Sequence, residues 1–73
     1  MTPAQCRAAR GLLGWTQQAL SDAADVGVVT VRQFEAGASE PRRATLAALR
    51  RALEDAGVEF DGESGVRLRD KPR

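Results

Sequence analysis

Residues 13–37 read LGWTQQALSDAADVGVVTVRQFEAG, and the order of caps, apolar positions and glycines in this stretch decides the fold. Thr16 has the hydroxyl of a helix N-cap, which predicts a short helix over residues 17–24 with Ala19, Leu20 and Ala23 facing inward. Asp25, Val26 and Gly27 then make a tight turn. Asp is one of the few non-glycine residues that tolerate a left-handed backbone, and Gly27 can cap the helix that follows. That second helix is predicted over residues 28–36, closed by Gly37. Its β-branched start, Val28-Val29-Thr30-Val31, also has the composition of a strand, but the i, i+3 pair Val31 and Phe34 and the glycine stop favour helix. Two helices joined by a turn of about three or four residues can present the second helix to a DNA major groove, although short helix pairs are common in all-α proteins.

Upstream, Thr2, Pro3 and Gln5 supply a hydroxyl N-cap, a proline at the first helical position and the glutamine of a capping box. The helix they open is predicted over residues 3–13, with Cys6, Ala9 and Leu13 on its apolar face and Gly14 as its stop. Downstream, a loop with Pro41 leads to a fourth helix that opens at or just before Thr45. Leu46, Leu49 and Leu53 form its apolar stripe, and it ends at Gly57. From Val58 the period changes to two: Val58-Glu59-Phe60 and Val66-Arg67-Leu68-Arg69 flank the turn-rich Asp61-Gly62-Glu63-Ser64-Gly65, the pattern of a β-hairpin whose strands should pack on the fourth helix, pair with the same strands of a second chain, or both. The expected organisation is a helix-turn-helix domain over residues 1–57, a hairpin and dimerisation tail over 58–69, and a frayed tail over 70–73.

A chain of 73 residues makes one small domain whose core is marginal, so burial against a second chain would help it. With 42% apolar and 29% charged residues it reads as folded and soluble, and neither a membrane-length apolar run nor a signal-peptide pattern is present, which makes the cytoplasm the expected location. The single cysteine, Cys6, reads as core. Without histidine or a glycine-rich phosphate loop, the sequence offers no zinc site and no acid–base pair; neither enzymatic activity nor a cofactor is expected. The net charge of +1 is small for a nucleic-acid binder, but the charges are segregated. Asp22, Asp25, Glu54, Asp55 and the Glu59–Glu63 stretch stand apart from Arg7, Arg10, Arg32, Arg42, Arg43, Arg50 and Arg51, which leaves room for one basic face.

Leu13 to Leu20, then Val26, Val31, Phe34-Glu35-Ala36-Gly37 and Pro41 through Leu46, resemble the Cro/C1-type (Xre) helix-turn-helix family of phage repressors and bacterial regulators. The resemblance covers about residues 3–57, and the stretch from Arg50 to Arg69 is similar to the tail of very short bacterial members. Asp25 stands where the family usually has a turn glycine, and Gly27 where it usually has a Ser or Thr cap; both are chemically tolerable. The resemblance implies a mainly α, lambda-repressor-like domain of four helices, here followed by the C-terminal hairpin.

It also implies roles by position. Gln17 falls where family members bind a phosphate, and Gly27, Val28, Val29, Arg32 and Gln33 fall on the groove-facing side of the second helix of the pair. There Arg32 suits guanine or a phosphate, Gln33 suits adenine, and Val28 and Val29 suit either thymine methyl groups or a protein partner. Arg42 and Arg43 fall where members approach the sugar-phosphate backbone or minor-groove edge. Arg10 and Glu35 fall at a structural ion pair. Leu53, Val58, Phe60, Val66 and Leu68 are the expected contributors to a homodimer. The function implied is that of a repressor binding double-stranded DNA as a homodimer on an inverted repeat; the alternative is a protein-binding antiactivator on the same fold.

Overall fold

The computed structural model describes residues 1–69, and the expected tail over 70–73 lies outside them. Four helices, α1 (Pro3–Leu13), α2 (Gln17–Ala24), α3 (Val28–Glu35) and α4 (Arg43–Asp55), precede an antiparallel hairpin of β1 (Val58–Asp61) and β2 (Gly65–Leu68). The caps set these bounds. The Thr2 hydroxyl accepts from the Gln5 amide at 3.1 Å while Gln5 Oε1 accepts from the Thr2 amide at 3.0 Å, a complete capping box. Thr16 accepts from the Ala19 amide at 2.9 Å and starts α2. Asp25 ends α2 in the left-handed conformation at φ 57°. The buried Ser21 fastens the turn beyond by donating to the Val26 carbonyl.

The core takes side chains from every helix and from β1: Cys6, Ala9, Leu20, Val31, Phe34, Leu49, Leu53 and Val58 are all buried. Trp15, Leu13, Leu46, Phe60 and Val66 pack around them, half-buried. Two details differ from the sequence expectation. Ala23 is exposed, because α2 turns Leu20, Ser21 and Ala24 inward instead. α3 stops at Glu35, with Ala36 as its cap, one residue short of the expected end. No helix among the described residues is long and apolar enough to cross a membrane.

The hairpin belongs to the protomer's own fold. Val58 pairs with Leu68 and Phe60 with Val66, so these four share the face turned toward α1 and α4, while Glu59 and Arg67 pair across the outer face at 2.9 Å. Its anchor is Gln5. This side chain is 1% exposed, and its Nε2 donates to the carbonyls of Gly62 at 3.0 Å and Gly65 at 3.1 Å. The same glutamine that completes the α1 cap thus clamps the hairpin turn, and Arg50 lies over the Phe60 ring at 5.1 Å on the other side. At Gly65 a side chain would not fit: a Cβ there would sit 2.7 Å from the Asp61 carbonyl oxygen.

This packing corrects part of the expected interface between chains. Leu53 and Val58 are 0% exposed inside the protomer and have no surface to offer a partner. The alternating tail finds its burial against α1 and α4, through a glutamine contact some sixty residues away in sequence. Leu68, 47% exposed, is the one member of the expected set that remains open.

Replacing Gln5 by alanine removes half of the capping box and orphans two turn carbonyls. Gln5→Ala is expected to lower the free energy of unfolding by about 2–4 kcal/mol, read as a reduced urea midpoint at unchanged slope. A loss below about 1 kcal/mol would mean that the hairpin is held by its apolar face alone.

Candidate nucleic-acid interface

Glu35, at the C-terminal end of α3, is 3% exposed and carries a full set of donors. Arg10 grips it with two prongs, Nε to Oε2 at 2.7 Å and Nη2 to Oε1 at 2.6 Å. Gln17 donates to Oε1 at 3.0 Å and the Cys6 thiol to Oε2 at 3.2 Å, so each oxygen accepts two hydrogen bonds. Arg7 donates to the Glu35 backbone carbonyl, and Arg10 Nη1 to the carbonyl of Trp15 at 3.0 Å. One carboxylate therefore ties α1, the turn after it, the start of α2 and the end of α3 into one unit. No buried side-chain nitrogen or oxygen among the described residues lacks a partner.

The electrostatics follow from this arrangement. Burial works to raise the Glu35 pKa, but the hydrogen bonds from Arg10, Gln17 and Cys6 and the charge of Arg10 outweigh it, and the carboxyl is held below its usual range. The hydrogen bond to Glu35 raises Arg10 in turn, against the opposing effect of burial. Burial, then the Glu35 carboxylate, push the Cys6 thiol up to about 12, so it stays protonated and serves as a donor.

The unit fixes how α3 is presented. By helical spacing Val29, Arg32 and Gln33 lie on the side opposite Val31 and Phe34, with Val28 at the edge of that side, one i, i+7 step from Glu35. Gly27, Val29, Arg32 and Gln33 are exposed and Val28 is half-buried. Arg42 and Arg43, at the start of α4, are exposed as well. Neither they nor Arg32 has a carboxylate partner among the described residues, whose ion pairs are Arg10–Glu35, Arg50–Glu54 and Arg67–Glu59. Five acidic residues, Glu54, Asp55, Glu59, Asp61 and Glu63, gather instead on the end of α4 and the hairpin. The Gln17 amide, expected at a phosphate, spends one N–H on Glu35, a contact between residues 18 apart that spacing could not reveal.

The start of α4 is less stable than local rules allow. α1 and α2 have hydrogen-bonded threonine caps; α3 starts at Gly27 and α4 at Arg42, with no side-chain cap bond at either. Glycine is itself a favoured N-cap, so the shortfall at α3 is small; at α4 an uncapped start costs about 1 kcal/mol. On α4 the charges also oppose the helix dipole, with Arg42 and Arg43 at the positive end and Glu54 and Asp55 in the last turn. An anion at the start of α4 would turn that repulsion into attraction.

Two short helices, a tight turn between them and an outward polar face on the second define a helix-turn-helix domain. A helix-turn-helix family model matches residues 7–54, which span α2, the turn, α3 and most of α1 and α4. The chain belongs to the Cro/C1-type helix-turn-helix family, a family of DNA-binding regulatory domains. No curated protein matches the chain significantly.

Because the Glu35 pKa is lower folded than unfolded, its stabilising effect is present above the ordinary carboxyl pKa of about 4.3 and is lost as pH falls through the folded value. Chemical unfolding at a series of pH values should show wild-type stability falling across that acid window while Glu35→Gln, destabilised by about 3 kcal/mol at neutral pH, loses less there. Equal acid slopes in the two proteins would place the linkage on other carboxylates. A second expectation concerns α4: Arg42→Ser restores a cap and removes an unfavourable charge, so the melting temperature should rise while DNA affinity falls. A variant that gained stability with DNA affinity intact would remove Arg42 from the interface.

Proposed function

We propose that the protein is a sequence-specific transcriptional repressor that binds an inverted-repeat operator as a homodimer. Two copies of α3 would enter successive major grooves about 34 Å apart. The observation that carries this reading is the outward face of α3. Gly27, Val28, Val29, Arg32 and Gln33 are held in place by the Glu35 unit behind them, and three of them, Val29, Arg32 and Gln33, are exposed side chains with no core role. Arg32 suits a guanine edge or a phosphate, and Gln33 an adenine edge. Arg42 and Arg43 suit the backbone beside the groove. With its one N–H on Glu35, Gln17 keeps a second N–H and its position at the start of α2, so a phosphate bound there would be sensed by the ion pair itself.

Dimerisation is supported by the small core and by the open apolar edge at Leu68, flanked by the half-buried Phe60 and Val66. A second reading, a protein-binding antiactivator, is favoured by one observation: Val29 leaves an apolar side chain 54% exposed on α3.

A salt titration separates the two. If Arg32, Arg42 and Arg43 of both chains neutralise phosphates, log K should fall against log salt with a slope of about −5, with two chains per duplex in sedimentation. A flat response would favour the protein-binding reading. Within the DNA reading, Arg32→Ala should weaken binding to the preferred duplex by about 1–3 kcal/mol with little effect on scrambled DNA; equal loss on both would make Arg32 a phosphate contact.

A further inference from the structure

Away from the end of α4 and the hairpin, the described residues include Asp22, Asp25, Glu35 and Glu40 as acids, and three of these have a visible use. Glu35 ties the helices together, Asp22 accepts from the Gln18 amide at 2.9 Å, and Asp25 ends α2 in the left-handed conformation. Glu40 is the exception. It is exposed and forms no ion pair among the described residues, whose pairs are Arg10–Glu35, Arg50–Glu54 and Arg67–Glu59. It also lies ahead of the first turn of α4, which holds no acid to favour the helix dipole. Glu40 lines a shallow groove with Met1, Pro3, Phe34 and Leu46, whose side chains bring it no positive charge.

Its place in the chain gives Glu40 a different neighbourhood. It sits in the loop between α3 and α4, two residues before Arg42, and two residues of chain span at most about 7 Å. That reach is comparable with the Debye length of about 8 Å at physiological salt. A phosphate drawn to the exposed Arg42 and Arg43 therefore meets opposed forces: two guanidinium groups attract it, and one carboxylate, only partly screened, repels it.

We infer that Glu40 is a phosphate-repelling residue that holds down affinity for duplex DNA whatever its sequence. Non-specific binding rests almost entirely on phosphate attraction, so weakening that attraction enlarges the share of binding carried by α3. Glu40 keeps the chain from resting on arbitrary DNA while touching no base. The inference rests on the DNA-binding reading.

The test compares the wild-type chain with Glu40→Gln, which keeps the shape of the side chain and removes its charge. Each is titrated with a duplex enriched by the wild type from a randomised pool and with a scrambled duplex of equal length. Glu40→Gln is expected to bind both about three- to tenfold more tightly at low salt, with a salt slope steeper by up to about one unit per chain, so that the gain shrinks as salt is raised. Its melting temperature should be little changed. Asp55→Asn makes the same change of charge about 18 Å further along the axis of α4 and should leave affinity nearly unaltered. Unchanged or weaker binding of both duplexes by Glu40→Gln overturns the inference, and so does an equal gain in Asp55→Asn, which would make the effect one of net charge. Weaker binding of the enriched duplex alone would make Glu40 a base contact instead. A lower melting temperature without a gain in affinity would give it the purely structural role of offsetting Arg42 and Arg43. Enrichment of no duplex by the folded wild type is a different result, since it removes the DNA-binding reading and the inference with it.

Discussion

The Glu35 carboxylate is the contact on which the rest of this structure depends. A carboxylate that is 3% exposed is tolerable only if its charge and both oxygens are satisfied, and here four hydrogen bonds from three side chains do so. Those side chains come from α1 and from the first position of α2, so satisfying one buried charge also sets the mutual placement of three helices. A chain of this size has too small an apolar core to set helix orientation by packing alone, and the geometry of a two-pronged arginine pair supplies the missing specification. Behind it, Gln5 does for the hairpin what Arg10 does for α3: a buried polar side chain on α1 with its hydrogen-bonding groups used on a distant segment. α1 is thus the spine of the molecule, with one face given to the core and two polar residues reaching to either side.

In the proposed reading, stability and binding are set against each other at the start of α4. The two helices that are buried in the scaffold's logic, α1 and α2, begin with threonine caps, while the two proposed to meet DNA begin with a glycine and with an arginine pair. Departures from local rules that bring nothing to the fold are the signature of residues retained for a partner. The same division appears in the charge. The net +1 of the chain hides a partial separation in which the exposed Arg32, Arg42 and Arg43 form no ion pair among the described residues, while five of the ten acidic residues sit on the end of α4 and the hairpin. A near-neutral sum is compatible with an anionic ligand when the positive charges share one region.

Local punctuation made most of the fold readable. The Thr2 capping box, the Thr16 cap, the left-handed Asp25 and the leucine stripe of α4 are short-range signals, and the helix bounds follow from them. What spacing could not show are contacts between distant residues. Gln5 is visible as half of a capping box, yet nothing in its neighbourhood points to Gly62 and Gly65, so the reading of the hairpin as strands that pack on the fourth helix, pair with a second chain, or both, leaves out its clamp to α1. The same blindness put Leu53 and Val58 at an interface when both are core. Arg10 and Glu35 were legible only through the family resemblance, and the inward turn of Gln17 and the donor role of Cys6 were not legible at all. The α3 face is a middle case: Val31, Phe34 and the glycine stop favour helix over the strand-like composition of its start, but only the structure shows that Gly27 is free of any steric need for glycine.

The central claim is that the Glu35 unit presents the outward face of α3, with the start of α4 beside it, to duplex DNA. Titrating an enriched duplex into the isotope-labelled chain and following backbone and side-chain amide resonances tests it residue by residue. The account predicts the largest shifts at residues 27–33 and 42–43 and at the Gln17 side-chain amide, with Glu59 and Arg67 on the outer hairpin face little changed. Shifts concentrated on the hairpin, with α3 silent, would contradict it.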